Sequence, residues 1–471
     1  MYSESERGGG LAALLRRPPL QVGPEVSVRE ALGRMGVERV GTVVAVAPAS
    51  LQPLGILTLR DAIDRVALVG GDLDAPVASV MTGGVVALPL WAGAHQARLL
   101  LARHDLRHLV VVDEAGRFAG VVSRGDLYAS RRLEADDLVE AIQSAADVEA
   151  LVEAARQVQE AAAAMVDRGE GAERIGEWIA ILNDLIVLAA IDLAEAEFEL
   201  PMVRWCWLAF GSEGRLEQTL ATDQDNGLIF ATDNGEDADL LRAQFLPFAQ
   251  RVNQVLDVCG FPLCKGGVMA GNPRWCLSLG EWRGCFAEWM RAASADDLLN
   301  STIFFDFRPL AGEWALADGL KRWLLSVAED NPLFLRFMAA NALRSGPPLG
   351  RIRDFVVDRG TGLLDLKRDG SRPFVDAARI YALSLGLTET STAERLRAAG
   401  IALRWDNREN DALLEALEFI QLLRLRRQRK SGSPPNLVRP DDLNDLERAV
   451  LKESFRQARK LQYKLQTRYQ L

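Results

Sequence analysis

An internal repeat in the first quarter of the chain restricts its fold more strongly than any other feature. The segment Gly55 to Asp61 (GILTLRD) recurs as Gly120 to Asp126 (GVVSRGD). Each copy follows a short apolar run and a turn. An amphipathic helical pattern precedes each run, around Ser27 to Gly36 and Gly93 to His104. Two similar supersecondary units of this kind are expected to bury a shared face.

The order of elements in each copy resembles that of a tandem CBS-domain pair. The candidate ligand-binding residues are Thr58 and Asp61 in the first copy, and Ser123 and Asp126 in the second. A hydroxyl followed three residues later by a carboxylate also caps a helix N-terminus, so a purely structural role stays open. In CBS pairs these positions hold the phosphate and ribose of an adenosine nucleotide. The resemblance therefore implies a regulatory adenosine nucleotide and, because CBS pairs commonly associate face to face, a homodimer.

Residues 133–200 are rich in Ala, Glu and Leu and predict a connector of two long helices joined by a turn near residues 168–171. This connector either links a sensor to a catalytic region or is a spacer. Its most apolar stretch, Trp178 to Ala194, contains Asp184 and Asp192. It therefore predicts a buried helix rather than a membrane span.

The segment after Pro201 carries the residues with the clearest chemistry. An apolar strand is expected from Val203 to Phe210, followed by Gly211-Ser212, a short helix, and Asp223-x-Asp225 opening a second strand. Alternation along that strand would place both aspartates on one face, where they can share a cation. Mg²⁺ prefers a few carboxylates completed by phosphate oxygens and water. Gly211 allows close approach to a phosphate, and Ser212 offers a hydroxyl and an N–H.

This Gly-Ser and Asp-x-Asp arrangement resembles the polymerase-beta-type nucleotidyltransferases, and more closely the cores of PII uridylyltransferases and glutamine synthetase adenylyltransferases. The patterns Gly211 to Glu217 and Thr222 to Asn226 are most similar to a bacterial family that joins CBS domains to such a core. Segments 264–270, 300–308 and 364–373 extend the likeness. The resemblance implies Mg²⁺ or Mn²⁺ at Asp223 and Asp225, and a nucleoside triphosphate (UTP or ATP) as substrate. It also implies a hydroxyl acceptor, which could belong to a regulatory protein.

Other site residues are less clearly determined by the pattern. Arg215 and Lys265 are candidate phosphate contacts, although Lys265 could equally be a surface lysine. The superfamily usually has a third carboxylate, for which Asp297 and Asp306 are the nearest candidates. Arg308 is interpreted as a structural partner of Asp306, with a catalytic role as the alternative.

Charge and cysteine content exclude some classes of protein. The formal net charge is −10, which disfavours a protein that coats nucleic acid. The basic run Arg424 to Lys430 is interpreted as a solvated helix end, with nucleic-acid contact as the less favoured alternative. Five cysteines without a Cys-x-x-Cys pair suggest neither a disulfide framework nor a zinc site. No leader or membrane segment is recognised, so a cytoplasmic location is expected.

The expected fold is multidomain α/β. It comprises a tandem CBS pair (1–132), a helical connector (133–200), a mixed-sheet nucleotidyltransferase core (201–312) and a C-terminal helical domain (313–471). Three functions compete. The first is a nucleotidyltransferase, the second a catalytically silent nucleotide sensor, and the third a nucleic-acid-tailing enzyme. The third fits the acidic balance least well.

Overall fold

The computed structural model of the 471-residue chain divides into two compact units, Met1–Glu134 and Ala135–Leu471. The expected boundary between the CBS pair and the connector falls at residues 132–133, outside the described residues. The structure describes residues 11–15, 20–38, 40–92, 97, 100–101, 103–104, 106–123, 136–232, 235–292, 302–350, 355–358, 360–429 and 436–471.

The first unit contains two small sheets, one in each copy of the repeat. The first sheet has the order β1-β2-β3-β4 and the second the order β5-β6-β7. Its strands are β1 (Gln21–Val22), β2 (Thr42–Val46), β3 (Pro53–Thr58), β4 (Thr82–Gly83), β5 (Ala87–Pro89), β6 (His108–Val112) and β7 (Phe118–Ser123). Its helices include α1 (Val28–Glu38) and α2 (Leu59–Ala62).

The two copies bury a common apolar face, as the repeat predicts. Val44 and Val46 on β2 share one buried cluster with Val110 on β6 and Phe118 on β7. In both copies a parallel strand pair is followed by an antiparallel pair, since β1 and β5 run parallel to β2 and β6. The equivalent topology explains why the two copies keep the same spacing of apolar residues.

The second unit begins with three helices, α3 (Asp136–Gln143), α4 (Val148–Asp167) and α5 (Ala172–Glu195). Asp147 caps α4 by accepting a hydrogen bond from the Ala150 amide. The turn between α4 and α5 uses Gly169 at φ +75°, a conformation that favours glycine. Helix α5 is apolar on nearly all sides and is largely buried, as its composition predicts. Even Asp184, near its middle, is 0% exposed.

A four-stranded mixed sheet follows, with the order β10-β9-β8-β11. Strand β9 pairs antiparallel with β8 and parallel with β10, and β11 pairs antiparallel with β8. The strands are β8 (Trp205–Phe210), β9 (Asn226–Phe230), β10 (Cys276–Ser278) and β11 (Phe307–Gly312). The helices described between these strands are α6 (Gly211–Gly214), α7 (Ala238–Val258) and α8 (Leu279–Ala292).

The last third of the chain is mainly helical, and one hydrophobic core continues from the sheet into it. Its helices are α9 (Trp314–Glu329), α10 (Pro332–Ala342), α11 (Arg372–Ser384), α12 (Thr392–Ala402), α13 (Asn407–Arg429) and α14 (Asp445–Tyr469). Strand β12 (Leu364–Asp365) precedes α11 and pairs antiparallel with β13 (Leu437–Val438) in a two-stranded ribbon. Among the described residues, no helix is both long and apolar enough to span a membrane.

The interpretation of the basic run at the end of α13 as a solvated helix end is confirmed for Arg429, which is exposed, and is wrong for Arg424 and Arg427. Arg424 is 6% exposed and Arg427 is 9% exposed. The Arg424 Nε donates to Asn436 Oδ1 at 3.0 Å, and an Arg427 nitrogen donates to Asp442 at 2.9 Å. Both guanidinium groups therefore hold α13 against the segment that precedes α14.

Candidate active site

The turn after β8 begins with a glycine in the left-handed conformation. Helix α6 is a single turn, and Gly211 at its start has φ +57°. A Cβ at Gly211 would lie 2.9 Å from Ile303 and 3.1 Å from Asp225 Oδ2. The backbone thus approaches the Asp225 carboxylate more closely than a side chain would permit. Ser212, the next residue, is half-buried.

Asp223 and Asp225 precede strand β9 rather than lying on it. The strand begins at Asn226, so the expected strand alternation is not what brings the two carboxylates together. The Phe210 amide instead donates to the Asp225 carbonyl oxygen at 2.8 Å, which holds this loop against the end of β8. Asp225 is 8% exposed and Asp223 is exposed, so one carboxylate is inside the site and the other at its mouth.

Three candidate metal ligands converge at this point. One ligand atom from each of Asp223, Asp225 and Cys264 lies within 4.8 Å of the other two. Burial, together with the neighbouring Asp223 carboxylate, raises the pKa of Asp225, while a hydrogen bond from Cys264 opposes the rise. Two carboxylates forced together in this way are stabilised by a cation, and the donor set therefore fits a divalent metal ion.

Two lysines are near the carboxylates. The Lys367 ammonium is close enough to lower the pKa of Asp225. Lys367 follows Asp365, whose carboxylate accepts hydrogen bonds from the amides of Lys367 and Arg368, at 2.9 Å each. Both Lys367 and Lys265 are exposed, and Lys265 directly follows Cys264. Either side chain can therefore turn toward a ligand at the carboxylates.

Behind the carboxylates, a buried chain of charged groups reaches helix α5. Arg308 on β11 donates to Asp184 at 2.6 Å and to the Glu213 carbonyl oxygen at 3.1 Å. The expected pairing of Arg308 with Asp306 is therefore wrong, because the Arg308 side chain points to α5. The Glu213 carboxyl is 5% exposed and accepts a hydrogen bond from the Asp225 amide. The connector helix thus contributes a charge to the rear wall of the site.

Glu213 is expected to make stability depend on pH. Burial raises its pKa to about 8, although Arg308 opposes the rise. The folded state keeps a proton that the unfolded chain loses near pH 4.3. The free energy of unfolding should therefore fall as the pH rises from about 4.3 toward 8, by up to about 1.4 kcal/mol per pH unit. Glu213→Gln should reduce this slope in urea unfolding measured across that range.

The control for this measurement is Glu140→Gln, at an exposed position on α3. It should leave the slope of the unfolding free energy against pH as it is in the wild type. Equal slopes for wild type and Glu213→Gln would show that Glu213 titrates in the folded protein as it does in the unfolded chain.

Asp306 occupies a separate buried cluster with three arginines and is 0% exposed. Its carboxylate accepts from Arg215 at 2.8 Å, from Arg379 at 2.6 Å and from Arg395 at 2.5 Å. Burial alone would raise the pKa of Asp306, but the three guanidinium groups hold it well below its usual range. Arg215 also pairs with Glu217 at 2.9 Å. The side chains of Arg215 and Asp306 are thus directed into this cluster, which joins the core to α11 and α12.

The expected site residues therefore separate into groups. Gly211, Ser212, Asp223, Asp225 and Lys265 lie at or beside the convergent carboxylates, whereas the side chains of Arg215 and Asp306 form the buried cluster. Asp297 lies outside the described residues. Cys264, Lys367 and Glu213 were not among the expected site residues. A signal for Lys367 was present in Asp365-Leu366-Lys367, which lies in the segment 364–373 that resembles the uridylyltransferases. Nothing in the spacing of Cys264 distinguished it from the other cysteines.

In the first unit, Thr58 and Asp61 form a reciprocal cap at the start of α2. The Asp61 amide donates to Thr58 Oγ1 at 3.2 Å, and the Thr58 amide donates to Asp61 Oδ2 at 3.0 Å. Thr58 and Asp61 therefore do cap the helix, which is the structural role that the sequence left open for this pair. Ser123 ends β7, and Asp126 lies outside the described residues.

Three family descriptions match successive parts of the chain. "CBS domain" matches residues 11–68 and 77–131. "Putative nucleotidyltransferase DUF294" matches residues 156–296, and "Putative nucleotidyltransferase substrate binding domain" matches residues 332–469. The nucleotidyltransferase match contains Gly211, Asp223, Asp225 and Cys264, and the substrate-binding match contains Lys367.

Individual relatives resemble the N-terminal part of the chain. A CBS domain-containing protein of Bacillus subtilis, YhcV, is 33% identical over 106 residues, which are 22% of this chain and 74% of that protein. A CBS domain protein of Pyrobaculum aerophilum, solved with AMP, is 29% identical and covers 26% of this chain and 92% of its own, with a TM-score of 0.25. One from Agrobacterium tumefaciens is 33% identical over 26% and 98%, with a TM-score of 0.24. The order of these family matches along the chain shows that the chain belongs to the family of CBS-domain-linked nucleotidyltransferases.

Proposed function

We propose that this chain transfers a nucleoside monophosphate from UTP or ATP to a hydroxyl group, with Mg²⁺ or Mn²⁺ held by Asp223 and Asp225. The observation that carries the proposal is the convergence of these carboxylates beside the Gly211 turn. When bound there, the cation would neutralise charge that develops on the phosphate oxygens. The nucleotidyltransferase match over the same residues supports this chemistry.

The residues around the carboxylates have complementary roles in this reaction. The Gly211 turn gives a phosphate close access to backbone groups, and Ser212 offers a hydroxyl. Lys367 would pair with the phosphate oxygens, since its exposed ammonium group is close to Asp225. Lys265 is a second candidate, since it is exposed and directly follows Cys264. The acceptor oxygen bonds to the α-phosphorus as the bond to the β-phosphate oxygen breaks. Pyrophosphate leaves, and the acceptor proton passes to a site carboxylate or to solvent.

The acceptor would bind against the C-terminal helices. Residues 332–469 match a substrate-binding domain, and Lys367 in that segment lies near Asp225. A hydroxyl of a regulatory protein is the acceptor class that the resemblance to the uridylyltransferases suggests. Nucleic acid is a poorer candidate because the chain is acidic overall.

Asp223→Asn, Asp225→Asn is expected to weaken Mg²⁺-dependent triphosphate binding by about 100-fold or more, because the cation loses both of its carboxylate ligands. Calorimetry with each of the four triphosphates measures this, and a pyrophosphate assay follows turnover. The matched control is Asp237→Asn, Asp239→Asn, an exposed Asp-x-Asp at the start of α7. Asparagine is also a good cap, so this control should bind as the wild type does. Undiminished binding by the Asp223, Asp225 variant would refute the proposed site.

A catalytically silent nucleotide sensor is the second candidate. It is favoured by the placement of Asp306, whose carboxylate is occupied by three arginines rather than joined to Asp223 and Asp225. Metal-dependent triphosphate binding without pyrophosphate release, in the presence of candidate acceptors, would support this second function. Release that requires both aspartates would exclude it.

We further propose that an adenosine nucleotide at the CBS pair controls the catalytic unit, with Thr58, Asp61, Ser123 and Asp126 as its contacts. A ligand can change activity only if it binds two states of the sensor differently. Asp61→Ala, Asp126→Ala should therefore lose both adenine-nucleotide affinity and the response of triphosphate binding to it. Calorimetry with AMP, ADP and ATP measures the first effect. Wild-type affinity and response in this variant would contradict the proposal. A homodimer built on the CBS pair stays a prediction.

A further inference from the structure

Cys264 presents a thiol to the same point as the two aspartates. Its Sγ belongs to the group whose ligand atoms all lie within 4.8 Å of one another, a spacing that one bound ion can bridge. Carboxylates alone suit a hard cation such as Mg²⁺, whereas a thiolate favours softer cations. The mixed donor set therefore distinguishes this site from one built of carboxylates alone.

The position of the thiol is set by the loop that follows it. The Gly267 amide donates to the Cys264 carbonyl oxygen at 2.9 Å, and Gly267 adopts φ +66°. The amides of Gly266 and Val268 donate to the Cys264 sulfur. Burial raises the pKa of the Cys264 thiol, and these two amides oppose the rise. The geometry of the loop thus fixes where the sulfur lies, and a bound cation would supply the charge that favours the thiolate, which is the form that binds metals.

The same loop is tied to the residue that follows Asp225. The Asn226 amide donates to the Val268 carbonyl oxygen at 3.1 Å, and the Asn226 side-chain oxygen accepts from the Ala270 amide at 2.8 Å. Asn226 is 1% exposed. One buried residue therefore joins the cysteine loop to the aspartate loop, and its hydrogen bonds hold the thiol near the two carboxylates.

The other cysteines do not share this environment. Cys206, Cys259 and Cys276 are buried, and Cys285 is half-buried on α8. Cys264 is also half-buried, and it adjoins the exposed Asp223, so an ion from solvent can reach it. Cys285 is therefore the appropriate control in any experiment on the thiol.

We propose that Cys264 Sγ is the third protein ligand of the cation site, so that a thiophilic divalent cation of the Zn²⁺ or Co²⁺ class competes with Mg²⁺ for it. The proposal rests on the proposed function in that Asp223 and Asp225 are the other two ligands. Binding of the softer ion displaces the thiol proton to solvent and forms a metal–sulfur bond. Zinc would therefore oppose the magnesium-dependent reaction at low zinc concentrations.

Titration of the full-length protein with Co²⁺ tests the metal–sulfur bond directly. A sulfur-to-cobalt charge-transfer band in the near ultraviolet is expected for the wild type and for Cys285→Ser. It should be absent from Cys264→Ser and from Asp223→Asn, Asp225→Asn. Calorimetry should show that Cys264→Ser binds Zn²⁺ about tenfold or more weakly, and that its loss of Zn²⁺ affinity exceeds any loss of Mg²⁺ affinity. Cys264→Asp should lose the band and bind Mg²⁺ at least as well as the wild type.

The outcomes separate this inference from the proposed function. A charge-transfer band of equal strength in Cys264→Ser would overturn the assignment of the thiol as a ligand. The absence of the band in a wild type that still binds triphosphate through Asp223 and Asp225 would do the same. Either result would leave the proposed function intact. A band that needs Cys264 and both aspartates, in a protein that binds no triphosphate, would support the thiol ligand and reject the proposed function.

Discussion

Asp306→Asn is expected to lower the free energy of unfolding of the catalytic unit by about 3–5 kcal/mol, the usual range when one member of a buried ion cluster is removed. Asp306 is 0% exposed and neutralises charge on Arg215, Arg379 and Arg395. Without it, three buried guanidinium groups lose their shared acceptor. Urea unfolding followed by tryptophan fluorescence is a suitable measurement, because every tryptophan except Trp91 lies in this unit.

The effect should depend on pH in a defined direction. The pKa of Asp306 is depressed in the folded protein, so its contribution is fully present above the unfolded value of about 3.9. It is lost as the pH falls below that value toward the folded pKa. The difference between wild type and Asp306→Asn should therefore be constant from pH 7 to about 5 and shrink in stronger acid.

Asp441→Asn is the control for this experiment. Asp441 pairs with Arg448 at 2.8 Å, but its side chain is 81% exposed. An exposed pair contributes about 0–1 kcal/mol, so this variant should unfold almost as the wild type does. A loss of under about 1 kcal/mol in Asp306→Asn would mean that the arginines find other acceptors or water.

Gly214→Ala should strongly destabilise the catalytic unit, although it adds only one methyl group. A Cβ at this position would lie 2.3 Å from the carbonyl oxygen of Asp306 and 2.9 Å from that of Ala209. Both obstacles are backbone atoms. Ala209 lies on β8 and Asp306 immediately precedes β11, so neither can move without displacing the paired ends of these two strands. We expect a destabilisation of about 3 kcal/mol or more, at the upper end for overpacking, together with weaker triphosphate binding.

The matched control is Gly319→Ala on α9, where nothing lies within 4 Å of the added methyl group. Alanine is the better helix former, so this variant should be stabilised by about 0.5–1 kcal/mol. Urea unfolding of the two variants compares them directly. Wild-type stability in Gly214→Ala would show that the turn after β8 can open without cost.

Features that depend on short-range order could be predicted from the amino-acid sequence. The recurrence of Gly55 to Asp61 predicted two packed repeats, and the apolar pattern around Asp184 predicted a buried connector helix. Both are confirmed. The pairing of Gly211 with Asp223 and Asp225 across a short spacer also identified the residues that meet at the candidate site. Such patterns depend only on residues that are near one another in sequence. The spacing of apolar residues indicates which face of an element is buried, and a short spacer after a strand limits the directions that the chain can take.

Tertiary structure alone decided which distant groups become partners. Arg308 binds Asp184 rather than Asp306, Asp306 collects three arginines, and Cys264 joins the two aspartates. A charged or thiol side chain has several chemically acceptable partners, and the choice among them follows from how far apart the folded backbone places them. The surroundings of a buried carboxyl group then set the direction of its pKa shift. Three arginines hold the pKa of Asp306 below its usual range, whereas burial raises the pKa of Asp225.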